Sequence, residues 1–221
     1  MIDRTKDGTK VPVRPITTDG LVDELADTIG GAAPESWLRV ALDGAPPARP
    51  DELAGSLVDP VRLRGRQAII VRATDYLRPA SLRLERGRTD PDAYYDDWLD
   101  AGALAREVLL PMAPDGTGRV LPARWDATAD RASRAGYVTL PAGGVVLVAG
   151  ALLLGRGLDF DLTVHLTLSP AALARQIGDD DRWTLPAYAR YADEVDPELA
   201  ADVVVRMDHR DRPAVLHNRA R

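Results

Sequence analysis

Five short apolar runs, separated by segments with helical periodicity, constrain the fold of this chain most. The first run, residues 37–42, is followed by a tight loop, a helix candidate at 50–64 and a second run at 68–71. Strand, loop, helix and strand in this order form a βαβ unit, which requires parallel strands. The remaining runs are 145–148, 162–166 and 203–206. The chain is therefore predicted to form an α/β fold with an open, doubly wound, five-stranded parallel sheet and helices on both faces.

Capping residues and apolar spacing predict further helices, and turn residues predict a hairpin. Thr18 and Asp19 are expected to cap the first helix, which ends at Gly30 and Gly31. Other predicted helices are 91–110, 170–176 and 185–195. Residues 119–125 and 137–140 predict an irregular β-hairpin around a polar loop, which would project over a ligand cleft.

Polar segments at both ends set the expected domain boundaries. Residues 1–16 are predicted to be a flexible arm, residues 17–208 a single domain, and residues 209–221 a polar tail. The longest apolar run, 145–154, contains Gly150 and is about half the roughly 20 residues that a membrane-spanning helix needs. We therefore expect a cytoplasmic protein without a membrane partner.

Composition excludes several kinds of site. The chain has no cysteine and three histidines, so thiol chemistry and Cys-ligated zinc are excluded and a His-rich metal site is not expected. The formal net charge is −6, and no basic block could follow a phosphate backbone, so no nucleic-acid partner is expected. The only lysines, Lys6 and Lys10, lie in the predicted arm.

The loop after the first strand is where such a sheet binds ligands. Residues 44–51 keep only the first glycine, Gly44, of the phosphate-binding pattern G-x-x-x-x-G-K-[ST]. Arg49 stands at the second glycine, Pro50 at the lysine and Asp51 at the hydroxyl residue. Two alternatives stay open: Arg49 binds phosphate and Asp51 binds Mg²⁺, or the loop is only a capped helix start.

Further segments, in consistent order over residues 37–207, give the chain a family resemblance. Residues 74–78 resemble D-x-F-Y-R, residues 91–94 resemble H-P-D-A-F, and residues 122–126 are similar to P-x-Y-D. Residues 145–150 resemble V-V-L-x-E-G, and residues 161–175 the strand and arginine-bearing helix that lead to a lid. Together they resemble the uridine kinase and phosphoribulokinase branch of the P-loop kinases.

This resemblance implies a phosphotransferase that moves the γ-phosphoryl group of ATP or GTP, with Mg²⁺, to a nucleoside or another small hydroxyl acceptor. It makes Asp75 the catalytic base, although a turn aspartate would look the same. The implied nucleotide-binding residues are Gly44, Ala45, Ala48, Arg49, Asp51, Arg175 and Arg182. The implied substrate-binding residues are Thr74, Tyr76, Arg78, Asp92, Tyr94, Trp125, Asp126 and Arg131. A homo-oligomer is compatible with the sequence.

The departures from the family pattern fall on residues used for chemistry. Ala149 replaces the acidic residue of V-x-E-G, Asp130 stands near the hairpin histidine, and the register that best aligns Tyr76 puts Thr74 at the position of the base. Three hypotheses follow: an active kinase, a catalytically inactive relative that binds or senses a small molecule, and an enzyme that reuses the cleft without ATP.

Overall fold

The computed structural model describes residues 13–209 and 211–218, with the backbone alone at 217 and 218. The strands are β1 (Arg14–Pro15), β2 (Leu38–Asp43), β3 (Ala68–Arg72), β4 (Arg119–Val120), β5 (Trp125–Asp126), β6 (Arg131–Ala132), β7 (Val138–Thr139), β8 (Val145–Gly150), β9 (Leu162–Thr167), β10 (Val203–Arg206) and β11 (Ala214–Asn218). The helices are α1 (Thr18–Gly30), α2 (Pro50–Leu63), α3 (Ala80–Arg83), α4 (Pro91–Asp96), α5 (Ala101–Leu104), α6 (Pro170–Gln176), α7 (Leu185–Glu194) and α8 (Pro197–Ala200).

The main sheet has seven strands in the order β1-β11-β10-β9-β2-β8-β3. The five strands from β10 to β3 are parallel, and they are the five that the apolar runs predicted. The predicted count of five is too low, because β11 and β1 add two antiparallel strands at one edge. The α/β fold with a central parallel sheet is confirmed.

Helices cover both faces of this sheet, as predicted. Side chains alternate along a strand, so β2 directs Val40 and Leu42 towards a core that includes Leu21 of α1 and Leu57 of α2. On the opposite face Ala41 belongs to a second core that includes residues from α4, α5 and α7. The carboxyl ends of the parallel strands meet at one edge of the sheet.

The helix predicted at 91–110 is interrupted. Helix α4 ends at Asp96, and the next residues form an extended segment in which Leu99 pairs with Leu77. The Asp100 carboxylate then accepts the N–H of Ala103 at 2.9 Å and caps α5. Because an aspartate at this position favours a new helix start, the periodic pattern contains two helices rather than one; π and 3₁₀ turns continue the second to Met112.

The predicted hairpin forms as two short ladders. Strand β4 pairs with β7, and β5 pairs with β6, both antiparallel. Helix α1 is capped one residue earlier than expected, because the hydroxyl of Thr17 accepts the N–H of Gly20 at 3.1 Å.

The ends of the predicted domain also differ from expectation. Arg14 and Pro15, assigned to the arm, pair with residues 214 and 215, assigned to the tail. Residues 1–12 of the predicted arm lie outside the described residues. Among the residues described, no helix is long and apolar enough to span a membrane.

Candidate functional site

A cavity of about 460 Å³ lies at the carboxyl ends of β2, β3 and β8. The loop after β2 contributes Gly44 and Asp51 to its lining, and the turn after β3 contributes Thr74. The opposite side comes from α4, from the 3₁₀ turn Asp179–Thr184 and from α7. This is the edge at which parallel α/β sheets bind ligands.

Four aromatic rings form one wall of this cavity: Tyr94, Trp98, Trp183 and Tyr188. The Tyr94 ring makes edge contacts with the other three at centroid distances of 5.1, 5.6 and 6.0 Å. The Tyr94 and Tyr188 hydroxyls are hydrogen-bonded at 2.9 Å, and burial raises the pKa of both phenols. Both tyrosines therefore stay neutral and form a rigid apolar surface that suits a flat ring.

The loop at residues 44–51 does not have the geometry of a phosphate cradle. A cradle needs backbone N–H groups aimed at the anion, and three of these eight residues are prolines. Residues 46–48 form a 3₁₀ turn in which Ala48 donates to Ala45 and Arg49 to Pro46, while Gly44 donates to Gly150. At most two N–H groups of the loop remain for a ligand.

The charged residues of the loop are already engaged. Arg49, at φ 59° in the left-handed region, pairs with Glu52 at 3.0 Å. Partial burial raises the pKa of Asp51, and Arg72, 3.7 Å away, opposes the shift. Ala48 is fully buried. The described residues include no group of three or more His, Asp or Glu that could hold a metal ion.

The charged side chains that line the cavity are mostly acidic. Asp51 and Asp181 line it, with Arg156 as the basic residue of the lining. The Arg156 guanidinium donates to the carbonyls of Leu152 and Tyr95, which uses two of its five N–H donors. Because two carboxylates face one arginine, the charge of the lining opposes a phosphate anion.

The segment predicted to carry the base is divided between cavity and core. Thr74 lines the cavity, whereas Asp75, half-buried, lies beside it. Partial burial raises the pKa of Asp75; Arg72 opposes this shift, and the carboxylates of Asp51 and Asp126 add to it. Tyr76 is fully buried and donates to the carbonyl of Leu121; its role in substrate binding stays a prediction.

The backbone of Arg78 connects this segment to the wall of the cavity. The N–H of Arg78 donates to the carbonyl of Trp98 at 2.9 Å, and its own carbonyl accepts from Arg83. These bonds join the turn after β3 to the aromatic wall. The role of Asp75 as a base and that of Arg78 in substrate binding stay predictions.

The hairpin residues expected at the acceptor site lie elsewhere. Trp125 bonds to Asp130 at 3.3 Å, and Asp126 accepts backbone N–H groups of its own turn. Arg131 is exposed. None of these side chains lines the cavity, and their assignment to a substrate site stays a prediction.

The remaining predicted residues are also on the surface. Asp92 is exposed and pairs with Arg190 at 3.3 Å. Arg175 is exposed, and Arg182 pairs with Asp179 at 2.7 Å. In the 3₁₀ turn Asp179–Thr184, Asp181 and Trp183 line the cavity instead.

A buried polar network behind the cavity has no counterpart in the sequence analysis. Asp43, fully buried at the end of β2, contacts His165 Nδ1 at 2.7 Å and accepts from the Tyr191 hydroxyl at 2.9 Å and the Leu153 N–H at 2.9 Å. Asp43 and His165 are register partners on neighbouring parallel strands. Polar residues at matching positions of two apolar runs were the available signal.

Comparisons with known proteins agree on the architecture. No family model and no curated protein sequence matches the chain. The structure is similar to that of a possible uridine kinase from Bacillus stearothermophilus, at a TM-score of 0.66 and 20% identity over 83% of this chain and 96% of that one. It is also similar to a candidate fructose transport system kinase from Silicibacter sp. TM1040, at 0.58 and 23% identity over 84% of this chain and 95% of that one. The chain therefore has the α/β fold of these two structures.

Proposed function

We propose that the protein binds a neutral, hydroxylated ring compound of the nucleoside class in the aromatic cavity, without holding a triphosphate on the loop at residues 44–51. The observation that carries this proposal is the wall of four aromatic rings beside that loop. A volume of about 460 Å³ lies within the roughly 300–1,000 Å³ typical of small-molecule sites. Stacking of a base on an aromatic ring contributes about 1–3 kcal/mol.

The polar groups of the cavity suit hydroxyl donors. Asp51 and Asp181 present carboxylate acceptors, and Thr74 presents a hydroxyl. A sugar hydroxyl donates to a carboxylate without adding charge, whereas a phosphate would meet repulsion from the same groups. This arrangement favours the catalytically inactive binding or sensing protein among the three hypotheses.

Uridine is the probe for the ring site. We expect uridine to quench tryptophan fluorescence and to give heat in calorimetry. Trp183→Leu is expected to weaken binding by roughly tenfold or more, because a stacking contact of about 1–3 kcal/mol is lost. Trp125→Leu is the matched control, because Trp125 lies outside the cavity lining, and it should bind uridine as the wild type does. Equal weakening by both changes would contradict the proposed site.

ATP with Mg²⁺ is the probe for the loop. We expect no heat at millimolar concentration, with or without uridine, because most of the N–H donors that a cradle needs are absent or bonded within the protein. Binding at micromolar concentration would refute this part of the proposal.

A phosphotransferase is the second candidate, and the environment of Asp75 favours it. A half-buried carboxyl with a raised pKa, beside the end of a parallel strand, has the setting of a general base. One structural neighbour is described as a possible uridine kinase. The test is formation of nucleoside monophosphate from uridine and ATP with Mg²⁺. If turnover occurs, Asp75→Asn should abolish it while uridine affinity stays within about twofold, since the expected loss is of proton transfer alone.

A further inference from the structure

A second cavity, of about 410 Å³, lies between the end of β9 and helices α6, α7 and α8. Gly44, Leu152 and Tyr188 line both cavities and form the partition between them. Leu152 has a φ of 60°, in the left-handed region that a non-glycine residue adopts only at a cost in free energy. Backbone strain is thus concentrated at the partition.

The lining of the second cavity is mostly apolar, and most of its polar side chains already have partners. The Tyr188 hydroxyl is bonded to Tyr94, and the Tyr191 hydroxyl donates to Asp43. Thr167 donates to Glu198 at 2.7 Å. Burial and the neighbouring Asp43 carboxylate raise the pKa of Tyr191, which keeps its phenol neutral.

Among the buried polar groups of this lining, His165 is the exception; Asp196, which also lines the cavity, is exposed. Its Nδ1 lies 2.7 Å from the Asp43 carboxylate, which also accepts from Tyr191 and from the Leu153 N–H. We assign the shared proton to Nδ1, because a carboxylate that accepts two other donors is the natural acceptor here. That tautomer leaves Nε2 as an acceptor, and no described residue donates to it. The ring itself is part of the cavity lining.

We propose that the second cavity is a binding site for an apolar molecule with one hydroxyl group. This hydroxyl donates a hydrogen bond to Nε2 of His165. The apolar walls disfavour any ionised ligand, because burying an unpaired charge is costly. Asp196 and Glu198 add negative charge to the lining, and Asp43 lies behind His165, so a carboxylate in particular is disfavoured. A hydroxyl satisfies the imidazole acceptor and leaves the rest of the molecule in contact with carbon atoms.

Hexan-1-ol and its isomer 1-methoxypentane test this proposal, because they have the same atoms and only the alcohol can donate a hydrogen bond. We expect the alcohol to move the Nε2 resonance of His165 in nitrogen-15 NMR and to bind about five- to tenfold more tightly than the ether, the effect of one net hydrogen bond. Equal affinities, or an unmoved resonance at saturation, would overturn the proposal.

Two variants separate this site from the first cavity. Ala174→Phe fills the second cavity from α6 without removing a member of the Asp43 network, so it should abolish alcohol binding and retain uridine binding. Trp183→Leu, in the first cavity, should weaken uridine binding and leave alcohol binding unchanged. Alcohol binding that survives Ala174→Phe unchanged would refute the site. A lack of uridine binding by the wild type would refute only the function proposed above.

Discussion

The buried network at Asp43 makes a quantitative prediction about Tyr191. Its hydroxyl donates to Asp43 at 2.9 Å and accepts the N–H of Leu154 at 3.0 Å. Tyr191→Phe removes a hydrogen bond to a charged group, worth about 1.5–3 kcal/mol, and leaves a buried N–H without its acceptor, at about 1–3 kcal/mol. Because the two effects share one hydroxyl and the site can relax, we expect the free energy of unfolding to fall by about 2–4 kcal/mol.

Urea denaturation followed by circular dichroism measures this loss. The urea midpoint should fall with an unchanged slope, since the surface exposed on unfolding stays the same. Calorimetry should show a melting temperature lower by roughly 4–16 °C, from about 2–4 °C per kcal/mol for a chain of this size.

Tyr137→Phe is the matched control, because it removes the same hydroxyl from an exposed site. The Tyr137 hydroxyl donates to Glu107 at 2.7 Å on the surface, where such a bond contributes little to stability. A loss below about 1 kcal/mol for Tyr191→Phe, or equal losses for the two variants, would refute the idea that the buried network stabilises the fold.

Three further predictions concern packing, pH and surface charge. Gly150→Ala would place a Cβ 2.4 Å from the Cβ of Ala73, so we expect a loss of unfolding free energy of about 1–3 kcal/mol or more in urea. The pKa of Asp75 is raised in the folded state, so the stability of the protein falls as the pH rises through that pKa. Asp75→Asn should therefore raise the melting temperature at pH 7, and the difference from the wild type should vanish below about pH 4. An increase that persists at pH 3 would contradict the raised pKa of Asp75. Arg190 bonds to exposed carboxylates and covers the Tyr95 ring at 4.2 Å; Arg190→Met should lower the melting temperature only slightly, and less again in 1 M salt.

The sheet could be predicted because its five parallel strands are short, apolar and separated by helices. The strand candidate at 203–206, for example, coincides with β10. The antiparallel edge could not be predicted in the same way. Strand β1 has only two residues, too few for a periodic pattern, and its pairing with residues 214 and 215 joins opposite ends of the chain.

The position of the ligand cleft was also predictable, since the βαβ order fixes which loop follows the first strand. The side chains that line the cleft were harder to predict. Trp183 reaches the cavity only because the 3₁₀ turn Asp179–Thr184 folds over it, and nothing in the local sequence distinguishes this ring from a core residue. The family resemblance implies a nucleotide-binding role for Arg175 and Arg182 instead, and both side chains are exposed.

The Asp43 network is the clearest example of contacts that the sequence does not predict. Its members are separated by 122 and 148 residues, and their contact depends on the register between β2 and β9. Register is set by packing on both faces of the sheet, so a single sequence does not reveal which polar residues of two strands will meet.

Strand β1 determines how this sheet can meet another molecule. It is the outermost strand at its edge within the described part of the chain, and it consists of the exposed Arg14 and of Pro15, which has no N–H. Arginine or lysine and proline on an edge strand prevent backbone pairing with a neighbouring chain. If copies of this protein assemble, a continuous intermolecular sheet through β1 is therefore disfavoured, and side chains on another surface would have to form the interface.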